Sequence, residues 1–195
     1  MIIEFLGPPR SGKTHQIKLL RKHYESLGKN VYIIEDRIIE KDVLVHVHDV
    51  WKYNVLFFNK VLEKLTYAQV VLKPDLIILD RGFYDAFAWF HAELLNNTLT
   101  KEQVDAAIKF YESFQKYIDK AILIDVDIPI SMSRHKHTGI SGITDDYIMN
   151  EKYLSCMKKA YVLLKKRYSS SKICIIDGNQ DANTVHEEIK ECLGL

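Results

Sequence analysis

Apolar residues along this chain fall into two rhythms. Short, mostly apolar runs at Ile2–Leu6, Val31–Ile34, Leu76–Leu79, Ala121–Val126 and Ile173–Ile176 are rich in isoleucine, leucine and valine and bounded by polar or turn residues. They predict five strands buried on both faces. Between them, apolar positions recur at helical spacing. Ile17, Leu19, Leu20 and Tyr24 predict a helix over Lys13–Leu27, broken by Gly28, and Val50, Tyr53, Asn54, Phe57, Val61 and Leu65 predict one over Asp49–Ala68. Further helices are expected over Phe83–Leu95, over Thr100–Tyr117 with Thr100 and Gln103 at capping-box spacing, and after Pro129. A long one is expected over Asp145–Tyr168, and a last one capped by Thr184 and Glu187. The segment His135–Thr144, with Gly139, Ser141 and Gly142, reads as a loop. Strands alternating with helices predict an α/β chain. The expectation is a single domain spanning 1–195, a five-stranded parallel sheet with helices on both faces and a short lid at about 135–144.

Composition adds limits. A chain of 195 residues with 47% hydrophobic and 27% charged residues is ordinary for a globular enzyme. A formal net charge of +1 gives no bias toward nucleic acid or an anionic membrane. Lys158, Lys159, Lys165, Lys166, Arg167 and Lys172 are interrupted by Tyr161, Val162, Leu163 and Leu164, so they read as the wet side of a helix rather than a nucleic-acid stripe. Cys156, Cys174 and Cys192 form no C-x-x-C pair and leave an odd count, so neither a disulfide framework nor a zinc site is expected, and a reducing cytoplasm is the expected location. No apolar run approaches the ~20 residues of a membrane span. Met1–Leu6 reads as a strand rather than a signal peptide.

The chemistry is concentrated in two motifs. Gly7-Pro8-Pro9-Arg10-Ser11-Gly12-Lys13-Thr14 matches G-x-x-x-x-G-K-[ST] between a strand and a helix, the context this motif requires. Glycines let backbone N–H groups approach phosphates, and the helix N-terminus adds favourable partial charge. Lys13 is expected to reach the β- and γ-phosphates of ATP and Thr14 to bind Mg²⁺. Arg10, inside the loop, is placed to neutralise charge on the transferring phosphoryl group. In the second motif the strand Leu76–Leu79 ends in Asp80-Arg81-Gly82, which sets a carboxylate at the sheet's carboxyl edge, where it can hold Mg²⁺. Arg81 stands where a motor ATPase usually keeps a glutamate, and there is no N-K-x-D guanine reader. Arginine suits an acceptor that carries a phosphate.

The chain resembles the thymidylate kinase branch of the nucleoside monophosphate kinases, with deoxynucleoside kinases as near relatives. Arg10 matches the loop arginine of one class of thymidylate kinases, and Asp80-Arg81 matches the family's Asp-Arg pair. Asp127-Ile128-Pro129 followed by Arg134 is similar to the approach to the family lid. Ile176-Asp177-Gly178-Asn179-Gln180 with Val185 and Ile189 is similar to its last strand, adenine-side loop and helix. The chain differs from the family at Pro9 (usually Asp), at Gly82 (usually Tyr or His) and at Asp85 (usually Ser). The arginine that the family carries on the preceding helix is absent, and only Lys60 or Lys64 stands there to replace it. The resemblance implies a homodimer through the early helices.

The leading expectation is therefore phosphoryl transfer from Mg²⁺·ATP to a nucleoside monophosphate or similar small nucleotide, with neither nucleic acid nor a membrane expected as partner. Lys13, Arg10, Asp80 and Arg134 carry the chemistry, while Asp36, Arg37, Arg81, Tyr84 and Asp85 hold the acceptor. Two alternatives stay open. One is a kinase of an uncharged hydroxyl, a deoxynucleoside or a 5′-hydroxyl polynucleotide end, with Asp80 or Asp85 as general base. The other is a regulatory P-loop ATPase. Phe83, Tyr84, Phe87, Trp89 and Phe90 read mainly as core, with some left to stack on an acceptor base. His46-Val47-His48-Asp49 reads as a loop or helix cap rather than a metal site, and Arg134, His135, Lys136 and His137 as a cationic lid or plain surface charge.

Overall fold

Five short apolar runs become one parallel sheet. Ile2–Leu6, Leu76–Asp80 and most of Lys120–Asp125 are buried from both sides, as only covering helices can do, while the edge runs at Val31–Ile34 and Ile173–Asp177 are part-buried and Ile175 is exposed. A computed structural model describes residues 1–36, 49–136, 147–168 and 171–195, without the side chains of His135 and Lys136. In chain order the elements are β1 (Ile2–Leu6), α1 (Lys13–Ser26), β2 (Val31–Ile34), α2 (Val50–Tyr67) and β3 (Leu76–Asp80). There follow α3 (Phe83–Leu95), α4 (Lys101–Glu112), β4 (Lys120–Asp125), α5 (Ile128–Lys136), α6 (Glu151–Arg167), β5 (Ile173–Asp177) and α7 (Ala182–Leu193). The sheet order is β2-β3-β1-β4-β5, every pair parallel, with Ile3 opposite Ile78 on one side and Lys120 on the other.

Strand alternation sorts side chains between the two faces. Ile2, Leu6, Ile77, Leu79, Ala121 and Leu123 face the larger core, built with α2, α3, α4 and α6. Ile3, Phe5, Leu76, Ile78, Ile122 and Ile124 face the smaller core, where Ile17 and Leu20 of α1 and Val185 and Ile189 of α7 meet them. The aromatics expected as core are core. Phe83, Tyr84, Phe87, Trp89 and Phe90 are all buried, and Phe90 and Phe83 lie nearly parallel to Tyr111 of α4.

Several boundaries differ from the sequence reading for identifiable reasons. Helix α2 is capped by Asp49, as one reading of that segment had it, and runs on into a π-helical turn, Ala68–Leu72. That turn ends at Lys73, whose φ of 48° precedes Pro74. The helix expected over Thr100–Tyr117 keeps its capping box but stops at Glu112, and a separate 3₁₀ turn covers Gln115–Tyr117. Helix α6 begins at Glu151, because Asn150 is extended and caps it through the Tyr153 N–H; Tyr147 and Ile148 are helical before that break, and Asp145 lies outside the described residues. Asp181, not Thr184, caps α7, accepting from the Asn183 and Thr184 amides.

The cysteines need a larger correction. Cys174 on β5 and Cys192 on α7 are joined as a disulfide with Cα atoms 6.3 Å apart, and Cys156 is free and buried. Motif spacing gave no sign of the pair because only the packing of α7 on β5 brings it together. Among the described residues no group of three or more His, Cys, Asp or Glu side chains converges as a metal site would, and no helix is long and apolar enough to cross a membrane. Three of the six basic side chains of α6 are paired with acids. Lys158 and Lys165 pair with Asp125 at 2.7 and 2.6 Å, and Arg167 pairs with Glu112.

Candidate active site

The carboxyl ends of β1 and β3 carry the two motifs side by side. After β1 the chain turns through the phosphate loop. Gly7 has φ 144°, and a Cβ there would stand 2.4 Å from the Ile124 carbonyl, so no side chain fits; Gly12 has φ 102°. Arg10 adopts φ 60°, a left-handed conformation that a non-glycine residue holds at a cost. Lys13 is buried and folded back into the loop, its Nζ donating to the Gly7 and Pro8 carbonyls at 3.0 Å each. Burial, then the nearby Arg81 charge, lowers the Lys13 ammonium to about 8.

Two elements brace the loop from outside. Ser131 of α5 donates to the Pro9 carbonyl at 2.7 Å. Arg134, also on α5, donates to the Arg10 and Ser11 carbonyls at 3.4 and 3.3 Å and to Gly178 in the β5–α7 connection at 2.9 Å. Its guanidinium thus lies on the flank of the loop, tying it to the segment expected on the adenine side.

Asp80 ends β3 on the α1 face of the sheet. Its Oδ2 accepts the Thr14 hydroxyl at 2.8 Å, while its Oδ1 is buried without a hydrogen-bond partner. Burial, with Asp36 nearby, raises the Asp80 carboxyl. A hydroxyl joined to a carboxylate whose other oxygen is orphaned is a donor set that fits a hard divalent cation.

The next residue faces the larger core. Arg81 has φ 76° and its N–H bonds the Phe5 carbonyl. Its Nη1 lies 2.8 Å from Asp85 Oδ2 and 3.5 Å from the Gly7 carbonyl, its Nε lies 4.0 Å from Asp36, and the guanidinium covers the Trp89 ring at 4.7 Å. Burial works against the Arg81 charge, but Asp85, Tyr161 and Asp36 outweigh it and leave the group firmly protonated. Asp85 is fully buried and also accepts Trp89 Nε1 at 3.0 Å and the Tyr161 hydroxyl at 2.6 Å. Asp36, just past β2, is the part-exposed carboxylate of the group.

Of the expected acceptor residues, Asp36, Arg81 and Asp85 gather here. Tyr84 does not: it is buried edge-on against Tyr168, 5.1 Å between ring centroids. Lys60 pairs with Glu63 on the exposed side of α2. Arg37, His46, His48 and His137 lie outside the described residues, as does the lid from 137 onward and the side chains of His135 and Lys136.

Three participants escaped the sequence reading. Tyr53 on α2 lies within the fields of Arg81 and Asp36, and burial raises its phenol. Asn54 follows it on the helix face marked by Trp51 and Phe58, both of which touch Phe90 of α3. Its Nδ2 is buried without a partner, the only such side-chain atom besides Asp80 Oδ1 among the described residues. Glu4 of β1 is fully buried beneath α3 and accepts the Tyr84 and Asp85 amides at 3.1 and 2.7 Å. Burial pushes its carboxyl up to about 8, against the pull of those N–H groups. Gly82 follows from Glu4, since a Cβ at position 82 would stand 2.8 Å from its carboxyl group. An acid at position 4 was visible in the sequence as a break in an apolar strand, but nothing there named its partners.

No family model and no curated protein matches the sequence. Solved structures do match in fold along the whole chain. A deoxyadenosine kinase from M. mycoides with bound dATP is 19% identical with a TM-score of 0.72, covering 100% of both chains. The same enzyme with products dCMP and a flexible dCDP bound gives 19% and 0.71, and with bound dCTP 20% and 0.63, each covering 100% of this chain and 99% of the other. The chain has the fold of these P-loop kinases.

Proposed function

We propose that this chain transfers the γ-phosphoryl group of Mg²⁺·ATP to the 5′-hydroxyl of a deoxynucleoside. The observation that carries this reading is the inward turn of Arg81. The arginine expected to receive an acceptor phosphate is already paired with Asp85, the two side chains being only 10% and 0% exposed, and the most exposed charge beside them is the carboxylate of Asp36, at 35%. A carboxylate at that edge suits a neutral hydroxyl acceptor and opposes a dianionic one. The fold shared with enzymes named deoxyadenosine kinases supports the same choice over a nucleoside monophosphate.

In this reading the loop from Gly7 to Thr14 surrounds the triphosphate with N–H groups drawn from Arg10 to Thr14, since Pro8 and Pro9 have none and that of Gly7 is bonded to Tyr161, and Lys13 leaves the Gly7 and Pro8 carbonyls to bind it. Thr14 and Asp80 would hold Mg²⁺, which neutralises charge on the phosphates when bound. Asp36 accepts the proton of the 5′-hydroxyl as its oxygen bonds the γ-phosphorus and the bond to the β–γ bridging oxygen breaks, releasing ADP. Arg81 spans the gap between Asp36 and the Gly7 carbonyl, and Arg10 adds a second positive charge beside the loop. Asp85 holds Arg81 and is too buried to act as the base. The unpartnered Asn54 amide suits an acceptor atom on the edge of a base, with Tyr53 beside the sugar.

The test is a panel of deoxynucleosides, nucleoside monophosphates and 5′-hydroxyl oligonucleotides with Mg²⁺·ATP, followed by ADP release and product identification. Deoxynucleoside 5′-monophosphates are the expected products, and Asp36→Asn should lower kcat by about 10²–10⁴-fold. Phosphorylation of monophosphates alone, or ATP hydrolysis indifferent to every acceptor, would overturn the proposal. Light scattering on the same protein tests the homodimer.

A further inference from the structure

A closed circuit of hydrogen bonds joins the phosphate loop to Arg81 through a residue far off in the chain. The Gly7 N–H donates to the Tyr161 hydroxyl at 3.2 Å, and that hydroxyl donates to Asp85 Oδ1 at 2.6 Å. Asp85 Oδ2 accepts from Arg81 Nη1 at 2.8 Å, and the same Nη1 reaches back to the Gly7 carbonyl at 3.5 Å. The circuit thus grips both ends of one loop residue, using β1, α3 and α6.

We propose that Tyr161 is a positioning residue for phosphoryl transfer, setting the Gly7 amide and, through Asp85, the Arg81 guanidinium as one unit. The inference rests on the reading of Arg81 as part of the transfer site. Its chemistry is specific to a hydroxyl. One atom must accept an amide N–H and donate to a carboxylate, which a phenol does and an aromatic hydrocarbon does not. Tyr161 is 1% exposed, so its ring would fill the same space as phenylalanine, and packing alone gives no reason to bury the oxygen. Burial and the adjoining Asp85 keep the phenol protonated far above its ordinary range, so it remains a donor throughout the working pH range.

The circuit also meets the triphosphate site. Lys13 Nζ shares the Gly7 carbonyl with Arg81, so when Lys13 turns to phosphate that carbonyl is left to the guanidinium alone. Loading of the loop and alignment of Arg81 are thereby coupled, with Tyr161 fixing the loop residue through which they communicate.

The test uses the full chain with Tyr161→Phe, Asp85→Asn and the double variant. Thermal unfolding establishes that each is folded, and Asp85→Asn alone carries the test should Tyr161→Phe not fold. Calorimetric titration with Mg²⁺·ADP should show about 3–10-fold weaker binding for Tyr161→Phe. With whichever acceptor the wild type phosphorylates, kcat should fall about 10-fold while the acceptor KM changes less than about 3-fold. The double variant should be no worse than Asp85→Asn, because both changes open the same circuit. ADP affinity within about twofold of wild type in a folded Tyr161→Phe protein, or losses that multiply in the double variant, would overturn the proposal. If the wild type phosphorylates no acceptor, the kinase reading falls, while the ADP affinities still decide the role of Tyr161.

Discussion

Arg81 and Asp85 form a buried ion pair, Nη1 to Oδ2 2.8 Å, one turn apart at the start of α3. Each has further partners: Trp89 and Tyr161 donate to the carboxylate, while the Gly7 carbonyl and the Trp89 ring meet the guanidinium. Such a pair contributes little net stability beside an apolar replacement, yet removing one partner leaves an uncompensated buried charge. Asp85→Ala should therefore destabilise the protein by about 3–5 kcal/mol in urea unfolding. Asp36→Asn, at the opening, should change stability by less than about 1 kcal/mol. Equal losses from the two would contradict this division between a structural and a reacting carboxylate.

Lys13 leads to a pH prediction. Its ammonium is lowered from 10.5 to about 8 in the ligand-free protein, so the charge that attracts phosphate is lost as pH rises through 8. The dissociation constant for ADP should be flat below that value and then climb, by at most about tenfold per pH unit. Lys13→Met should abolish transfer, keep the fold, and show no such climb. A wild-type profile flat to pH 9.5 would count against the assignment.

Glu4 makes the opposite kind of test, on stability. Its folded value of about 8 lies above the ordinary 4.5, so the folded state holds the proton more tightly between those values. The stabilising contribution is full below 4.5 and is lost as pH rises through 8, with a slope of up to about 1.4 kcal/mol per pH unit. Denaturant midpoints measured from pH 5 to 8.5 should fall more steeply for the wild type than for Glu4→Gln. Parallel profiles would show that Glu4 does not titrate in this window.

The Cys174–Cys192 bond closes a loop of 18 residues between β5 and α7. A loop of that length corresponds to about 3 kcal/mol in the chain-entropy account. Reductant should lower the melting temperature of the wild type, and Cys192→Ser should match the reduced protein and be insensitive to reductant. No change on reduction would refute the contribution.

How far the sequence could be read depended on the range of the interactions. The five strands were plain because β-branched and leucine runs in parallel sheets announce themselves locally, and Thr100 with Gln103 announced its own cap. The phosphate loop and Asp80 were plain because the motif and its strand-to-helix setting are contiguous. Asp85 was seen as a candidate acceptor residue, and only the fold shows it enclosed by Arg81, Trp89 and Tyr161. Glu4 and Tyr161 were given no site role: their partners lie 76 to 154 positions away, and an acid in a strand or a tyrosine in a helix has no local signature of such a bond. Asn54 was read as part of an apolar stripe by its spacing, which is correct for its face and silent about its unmet amide.

The contact between Glu4 and Gly82 has a consequence for inheritance. Because a Cβ at 82 would stand 2.8 Å from the carboxyl group of Glu4, position 82 is not free to gain a side chain while Glu4 is kept. A lineage that acquires a larger residue after the Asp-Arg pair must first shorten or lose the acid on β1, and with it the cap on α3. Substitution at 82 thus depends on substitution at 4. Swapping the motif of a related kinase into this chain should succeed only when residue 4 travels with it.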